Sequence, residues 1–196
     1  TLLADSNPSD PLLVIAADWP TYGASTDRDQ PMPPFAVMKH YLMALLEDVV
    51  RSYPDCECYL LGESLGASMI FICHEEINAF QMRHGCIKGI IASSPAIHDP
   101  TTNLYFQRRF LGYSTAPSVF RSIWFHDPEV NHQHAASRIR ATIPYLAEAY
   151  RGMQHWTEDI PCAVLLASND SVVTKAPFLK LHRSVKSDHM VFYAFP

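Results

Sequence analysis

Gly62-Glu63-Ser64-Leu65-Gly66 is a G-x-S-x-G pentapeptide between the apolar run Tyr59-Leu60-Leu61 and an amphipathic stretch that opens at Leu65. Strand, sharp turn and helix together are the context in which such a serine acts as a nucleophile. The turn lifts the hydroxyl out of the sheet, and the flanking glycines leave room where the backbone crowds itself. At a helix N-terminus, free N–H groups and the dipole favour a developing anion. The backbone N–H of Leu65 is then one oxyanion donor, and losing such a donor typically costs about 10²–10³ in rate. These residues fit acyl transfer through a covalent ester on Ser64. The plainer alternative is a serine that only caps the helix.

Asp170 is the candidate acid. It follows Ala163-Val164-Leu165-Leu166-Ala167 in the turn Ser168-Asn169-Asp170. An acid on the loop after a strand can fix a histidine's tautomer. A solvated carboxylate in an Asn-Asp turn is the alternative. Asp188 is a weaker rival, because it precedes the last strand instead of following one. The order Ser, Asp, His puts the base after that strand, beyond Pro196. Three internal histidines are alternatives. His189 opens the last strand, roughly 17–20 Å from a serine at the far edge of a sheet. His182 lies on the preceding helix, and His98 follows the third strand.

The elements that hold these residues alternate. Leu12–Ala17 reads as a strand buried on both faces, followed by a turn-rich stretch from Asp18 to Pro34. Met38, Tyr41, Leu42, Leu45, Leu46 and Val49 make one helical stripe, which ends near Tyr53-Pro54. A strand at Tyr59–Leu61 leads into a helix over Leu65–Arg83 that stops near Gly85. Ile87–Ala92, Ala163–Ala167 and Met190–Phe195 are further strands, with a helix at about Pro177–Val185. This pattern predicts an α/β fold, mostly parallel, with crossover helices. Residues 97–159 break the alternation. They carry aromatics from Tyr105 to Phe125 and one helix, at about Ile143–Trp156. We expect an insertion over the C-terminal edge of the sheet, dividing the chain into core (1–96), cap (97–159) and core (160–196).

Composition excludes several classes. The 196 residues carry a net charge of -5, which gives no electrostatic reason to bind nucleic acid. No apolar run approaches the roughly 18 residues of a membrane span. Thr1 opens no signal peptide, so a cytoplasmic location is expected. The five cysteines are odd in number and read as reduced thiols. Cys56-Glu57-Cys58 has no partner at zinc spacing, and His126, His132 and His134 are scattered in a polar stretch, so no metal site is expected. Acyl transfer by a serine needs no cofactor.

Four stretches carry a resemblance. Asp18-Trp-Pro-Thr-Tyr-Gly-Ala-Ser25 resembles a D-x-x-G-x-G-x-S loop with Thr21 in place of the first glycine. Gly62–Gly66 matches the nucleophile elbow. Ala92-Ser-Ser-Pro95 is similar to the short loop after the next strand, and Ala167–Val173 to a G-x-x-D-x-x-V acid loop. The chain thus resembles the monoacylglycerol lipase and lysophospholipase-like, or serine aminopeptidase-like, branch of the α/β-hydrolases, covering the middle and end of a member. The resemblance implies that Ser64 is the nucleophile and Asp170 the triad acid. It also implies that residues 97–159 are a cap shaping an acyl pocket, with possible peripheral membrane contact, and that the substrate is a small-molecule acyl ester or lipid. A second oxyanion donor would come from a His-Gly loop ahead of Leu12. That loop and the histidine are not among the 196 residues, so a truncated enzyme is expected. The alternative is a non-catalytic interaction or ligand-binding protein of the same fold.

Overall fold

The sheet that carries Ser64 is parallel throughout. The computed structural model describes residues 2–3, 12–21, 25, 33–97, 135–156, 159–167, 176–185 and 188–195. Strands β3 (Cys58–Glu63), β4 (Ile87–Ser93), β5 (Cys162–Ala167) and β6 (Met190–Phe195) lie side by side in chain order, each pair parallel. One row across the sheet is Leu60, Ile90, Cys162 and Met190. The next on that face is Gly62, Ala92, Val164 and Phe192. Most of these side chains are buried. The opposite face carries Tyr59, Leu61, Val191, Tyr193 and Phe195, all exposed, and Tyr59, Val191 and Tyr193 line a groove of about 320 Å³ toward the strands' N-terminal ends.

Helices cover the buried face. α1 (Phe35–Ser52) buries Met38, Leu42 and Leu46, spaced four residues apart, and ends at Tyr53 just before Pro54. α2 (Leu65–Ile72) is apolar nearly all round because it is enclosed: Ala67 through Ile72 are all buried. It packs on β3 and β4 on one side and on α4 (Ala135–Gln154) on the other. α3 (His74–His84) ends on Gly85, whose φ of 65° is the left-handed cap that glycine allows. α5 (Ala176–Ser184) connects β5 to β6.

Two expectations are corrected. The single helix over Leu65–Arg83 is two helices, broken at Cys73, where the chain leaves the buried layer and runs on with Glu75, Met82 and Arg83 exposed to solvent. Arg83 there pairs with Glu47 of α1 at 2.9 Å. The strand at Leu12–Ala17 is only β2 (Leu13–Val14), paired antiparallel with β1 (Leu2–Leu3). It is not buried on both faces: Leu12, Val14 and Ile15 are exposed. An apolar run gives no register, and no described strand joins β2 to the parallel sheet.

The helix expected at Ile143–Trp156 starts eight residues earlier, and its end belongs to the core. Trp156 meets Phe71 of α2 edge-on, with ring centroids 5.6 Å apart, and Tyr150 and Met153 are buried beside them. Tyr145 stacks obliquely on Phe35 at 4.9 Å and donates to Pro33 O at 2.7 Å.

Candidate active site

Ser64 stands where β3 ends and α2 begins, with φ 49° and ψ -113°. A non-glycine residue with positive φ is strained, and such strain gathers at functional sites. The backbone around it holds this conformation from several sides. Ser64 N–H donates to Ser93 O at 3.0 Å. Ser64 O accepts from Ser68 N at 3.1 Å and from Ala96 N at 3.1 Å. The turn is therefore tied both to its own helix and to the loop after β4. Gly62 is required by crowding, since a Cβ there would stand 2.6 Å from Ala67 N. Gly66 is not crowded in this way; its Cβ would meet only the Trp19 indole nitrogen, at 3.8 Å.

The Ser64 hydroxyl makes no capping bond and the residue is exposed. Its backbone is not in the extended region that a cap residue adopts. The capping alternative is therefore removed. Leu65 is the first residue of α2, and the first N–H groups of a helix have no intrahelical acceptor.

Ser68 is the polar residue that sequence reasoning missed. It is fully buried, and its single hydroxyl proton serves Ala96 O at 2.5 Å or Ser64 O at 2.9 Å. A serine bonding back to the carbonyl four residues earlier is a known habit of helices. The signal was available: Ser68 is the lone hydroxyl inside the apolar run Leu65–Ile72.

The loop from Asp18 lies against this assembly. Trp19 and Tyr41 of α1 meet at 5.7 Å, and the Tyr41 hydroxyl donates to Asp18 O at 2.7 Å. Burial first, then the Asp18 charge, raises the Tyr41 pKa, so the phenol stays a donor. Thr21 sits at φ 70° and is buried, with its Oγ1 unpartnered among the described residues. The chain thus adopts a glycine conformation at the position where the resemblance puts glycine. Left-handed geometry costs a β-branched residue about 1–2 kcal/mol, partly offset by glycine's greater freedom when unfolded. Thr21→Gly is expected to raise stability by about 1 kcal/mol, or Tm by about 2–4 °C in a thermal melt. A lower Tm would show that Thr21 is not strained.

Asp170 and His98 lie outside the described residues. The other two alternatives, His189 and His182, are placed away from the serine. His189 opens β6 at the edge opposite Ser64, 3.8 Å from Asp159. His182 packs edge-on against Phe192 of β6 at 5.6 Å. That strand is three spacings from β3, about 14 Å across the sheet. Among the described residues no histidine hydrogen-bonds Ser64, no group of three His, Cys, Asp or Glu could hold a metal ion, and no helix is long and apolar enough to cross a membrane.

Ser64 thus stands at positive φ between a parallel strand and a buried helix. The family model described as serine aminopeptidase, S33, matches residues 10–196. The chain belongs to that family. It is an α/β-hydrolase, and its structural neighbours have that fold. One is a monoacylglycerol lipase from Paleococcus ferrophilus, with TM-score 0.56 and 16% identity, covering 91% of this chain and 71% of that one. A second is a soluble variant of monoglyceride lipase from Saccharomyces cerevisiae in complex with a substrate analog, with TM-score 0.65 and 15% identity, covering 91% and 66%. A third is a highly thermostable carboxyl esterase from Bacillus coagulans in complex with glycerol, with TM-score 0.59 and 14% identity, covering 91% and 70%. The chain thus spans about two thirds of these neighbours' length, as an incomplete α/β-hydrolase fold would. No curated protein matches it.

Proposed function

We propose that this α/β-hydrolase is a serine esterase acting on carboxylic esters of the monoacylglycerol or lysophospholipid kind, through an acyl-enzyme on Ser64. The observation that carries the reading is the backbone of Ser64. It is held at positive φ by bonds to its own helix, to β4 and to the loop after β4, with the residue exposed and its hydroxyl free of a capping role. Membership of a hydrolase family and the lipase and esterase neighbours support ester chemistry.

The proposed steps are those of a serine–histidine–acid triad. Ser64 Oγ attacks the ester carbonyl carbon and passes its proton to a histidine oriented by Asp170. Leu65 N–H donates to the oxyanion. The histidine returns the proton to the departing alcohol, leaving the acyl group on Ser64. Water then attacks by the same route and releases the acid. The histidine reaches Ser64 from outside the described residues. Residues 97–159 would supply the cap, apart from the C-terminal part of α4, which packs against α2 in the core, with the aromatics between Tyr105 and Phe125 facing the acyl chain or a lipid surface. The five free thiols support a cytoplasmic protein.

The test is a fluorophosphonate probe followed by peptide mapping, with hydrolysis of p-nitrophenyl esters of increasing acyl length alongside. A single adduct on Ser64, with turnover that depends on acyl length, is expected. No adduct, with retention of an apolar ligand, would instead make the protein a binding module of hydrolase descent.

A further inference from the structure

Three of the five cysteines meet at the end of β3 opposite Ser64. Cys56 lies in the turn before the strand, Cys58 is its first residue, and Cys86 directly precedes β4. The Cys56 and Cys58 sulfurs are 3.4 Å apart. Cys86 is the third member: its carbonyl accepts from Cys58 N–H at 2.8 Å, and its thiol acts on the Cys58 thiol both through its field and through a hydrogen bond. All three are half-buried. Cys73 and Cys162 differ. They are buried, 0% and 2% exposed, out of reach of a small disulfide in solution.

We propose that Cys56 and Cys58 are a thiol–disulfide exchange site, which a low-molecular-weight disulfide such as oxidised glutathione closes to an intramolecular disulfide. The geometry favours this pair over the other two. Its sulfurs are 3.4 Å apart, and the hydrogen bond that Cys58 makes with Cys56 outweighs the one it makes with Cys86; a disulfide needs the sulfurs at about 2.05 Å. Cys58 is anchored in the ladder by its bond to Cys86 O, and the register shifts directly after it. Among the described residues the Cys56 backbone is held by a turn bond from its N–H to Tyr53 O at 3.2 Å and by no strand ladder, so Cys56 is the residue that moves.

The step balances. The Cys56 thiolate attacks one sulfur of the small disulfide, forms a mixed disulfide and releases one small thiol. The Cys58 thiolate then attacks the Cys56 sulfur and expels the second. The protein loses two hydrogens, and the small disulfide is reduced to two thiols. Burial, and then its two cysteine neighbours, push the Cys58 thiol up to about 12. Ring closure therefore accelerates as pH rises.

The reduced full chain is incubated with oxidised glutathione. Free thiols are then blocked, disulfides reduced, and the newly released thiols tagged and mapped. Tags on Cys56 and Cys58 together, with an intact mass two hydrogens lighter, are expected. Cys58→Ser strands glutathione on Cys56, whereas Cys56→Ser gives no protein disulfide between these positions. Circular dichroism checks that both variants remain folded. Three results would overturn the proposal: glutathione persisting on Cys56 of the unaltered protein, tags pairing Cys86 with either partner, or tags on Cys73 and Cys162 in preference to this pair.

Discussion

Gly152→Ala is expected to destabilise the fold by about 3 kcal/mol, lowering Tm by about 6–12 °C. An alanine normally strengthens a helix, by about 1 kcal/mol relative to glycine. At Gly152 the propensity gain is overruled by contact. A Cβ built there would lie 2.0 Å from Phe71 O and 2.7 Å from Phe71 C, both backbone atoms of α2. No rotamer change relieves a clash with a carbonyl. The helices α2 and α4 must separate by more than an ångström. That separation opens the edge contact of Phe71 with Trp156 and disturbs the bond between His74 Nδ1 and Phe71 O, now 2.9 Å. The first residue of α2 is Leu65, so the movement is transmitted to the turn holding Ser64. Gly89→Ala is the contrast. Its Cβ would meet the Tyr59 ring at 3.3 Å, and an exposed side chain can give way. A thermal melt of both variants decides the matter; equal losses would mean that the α2–α4 contact is not the cause.

How much of this was legible in the sequence differs from element to element. β3 to β6 were readable because continuous apolar runs bounded by turns are what parallel strands require. The elbow was readable because its demands are local: one serine, glycine at Gly62 and a strand leading in. Thr21 was readable only through the family loop, and its φ of 70° bears out the glycine-like position. What was not legible depends on long-range approach. Nothing near Gly152 in the chain announces that Phe71 will lie against it. The break at Cys73 is set by where burial ends, not by a proline or glycine. Cys56 and Cys58 could be seen as neighbours, but Cys86 joins them only through the β3–β4 ladder. β2 was misread because an apolar run does not say which strand, if any, will lie beside it. The placement of Asp170 rests on the acid-loop pattern, since its residues lie outside those described.

In an enzyme complete with its triad histidine, Ser64→Ala is expected to remove the fluorophosphonate adduct altogether and to lower ester turnover by about 10⁶, the scale on which removing a triad serine acts. The expectation is large because the hydroxyls on the adjoining helix and strand are poor substitutes. Ser68 is fully buried and its proton is engaged by carbonyl oxygens. Ser93 lies within β4, where its carbonyl oxygen accepts from Ser64 N–H, and is not part of the elbow turn itself. The Ser64 hydroxyl itself makes no described hydrogen bond, so its loss leaves no buried group unpaired. Alanine occupies the same strained backbone that serine does. The variant should therefore melt within about 0.5 kcal/mol of the parent, the usual range for an exposed substitution. This separation of effects makes the experiment decisive. Turnover lost at unchanged Tm would locate the acyl-enzyme at Ser64. Turnover retained, or an adduct that persists, would place the nucleophile elsewhere and leave the strained turn as a structural feature only.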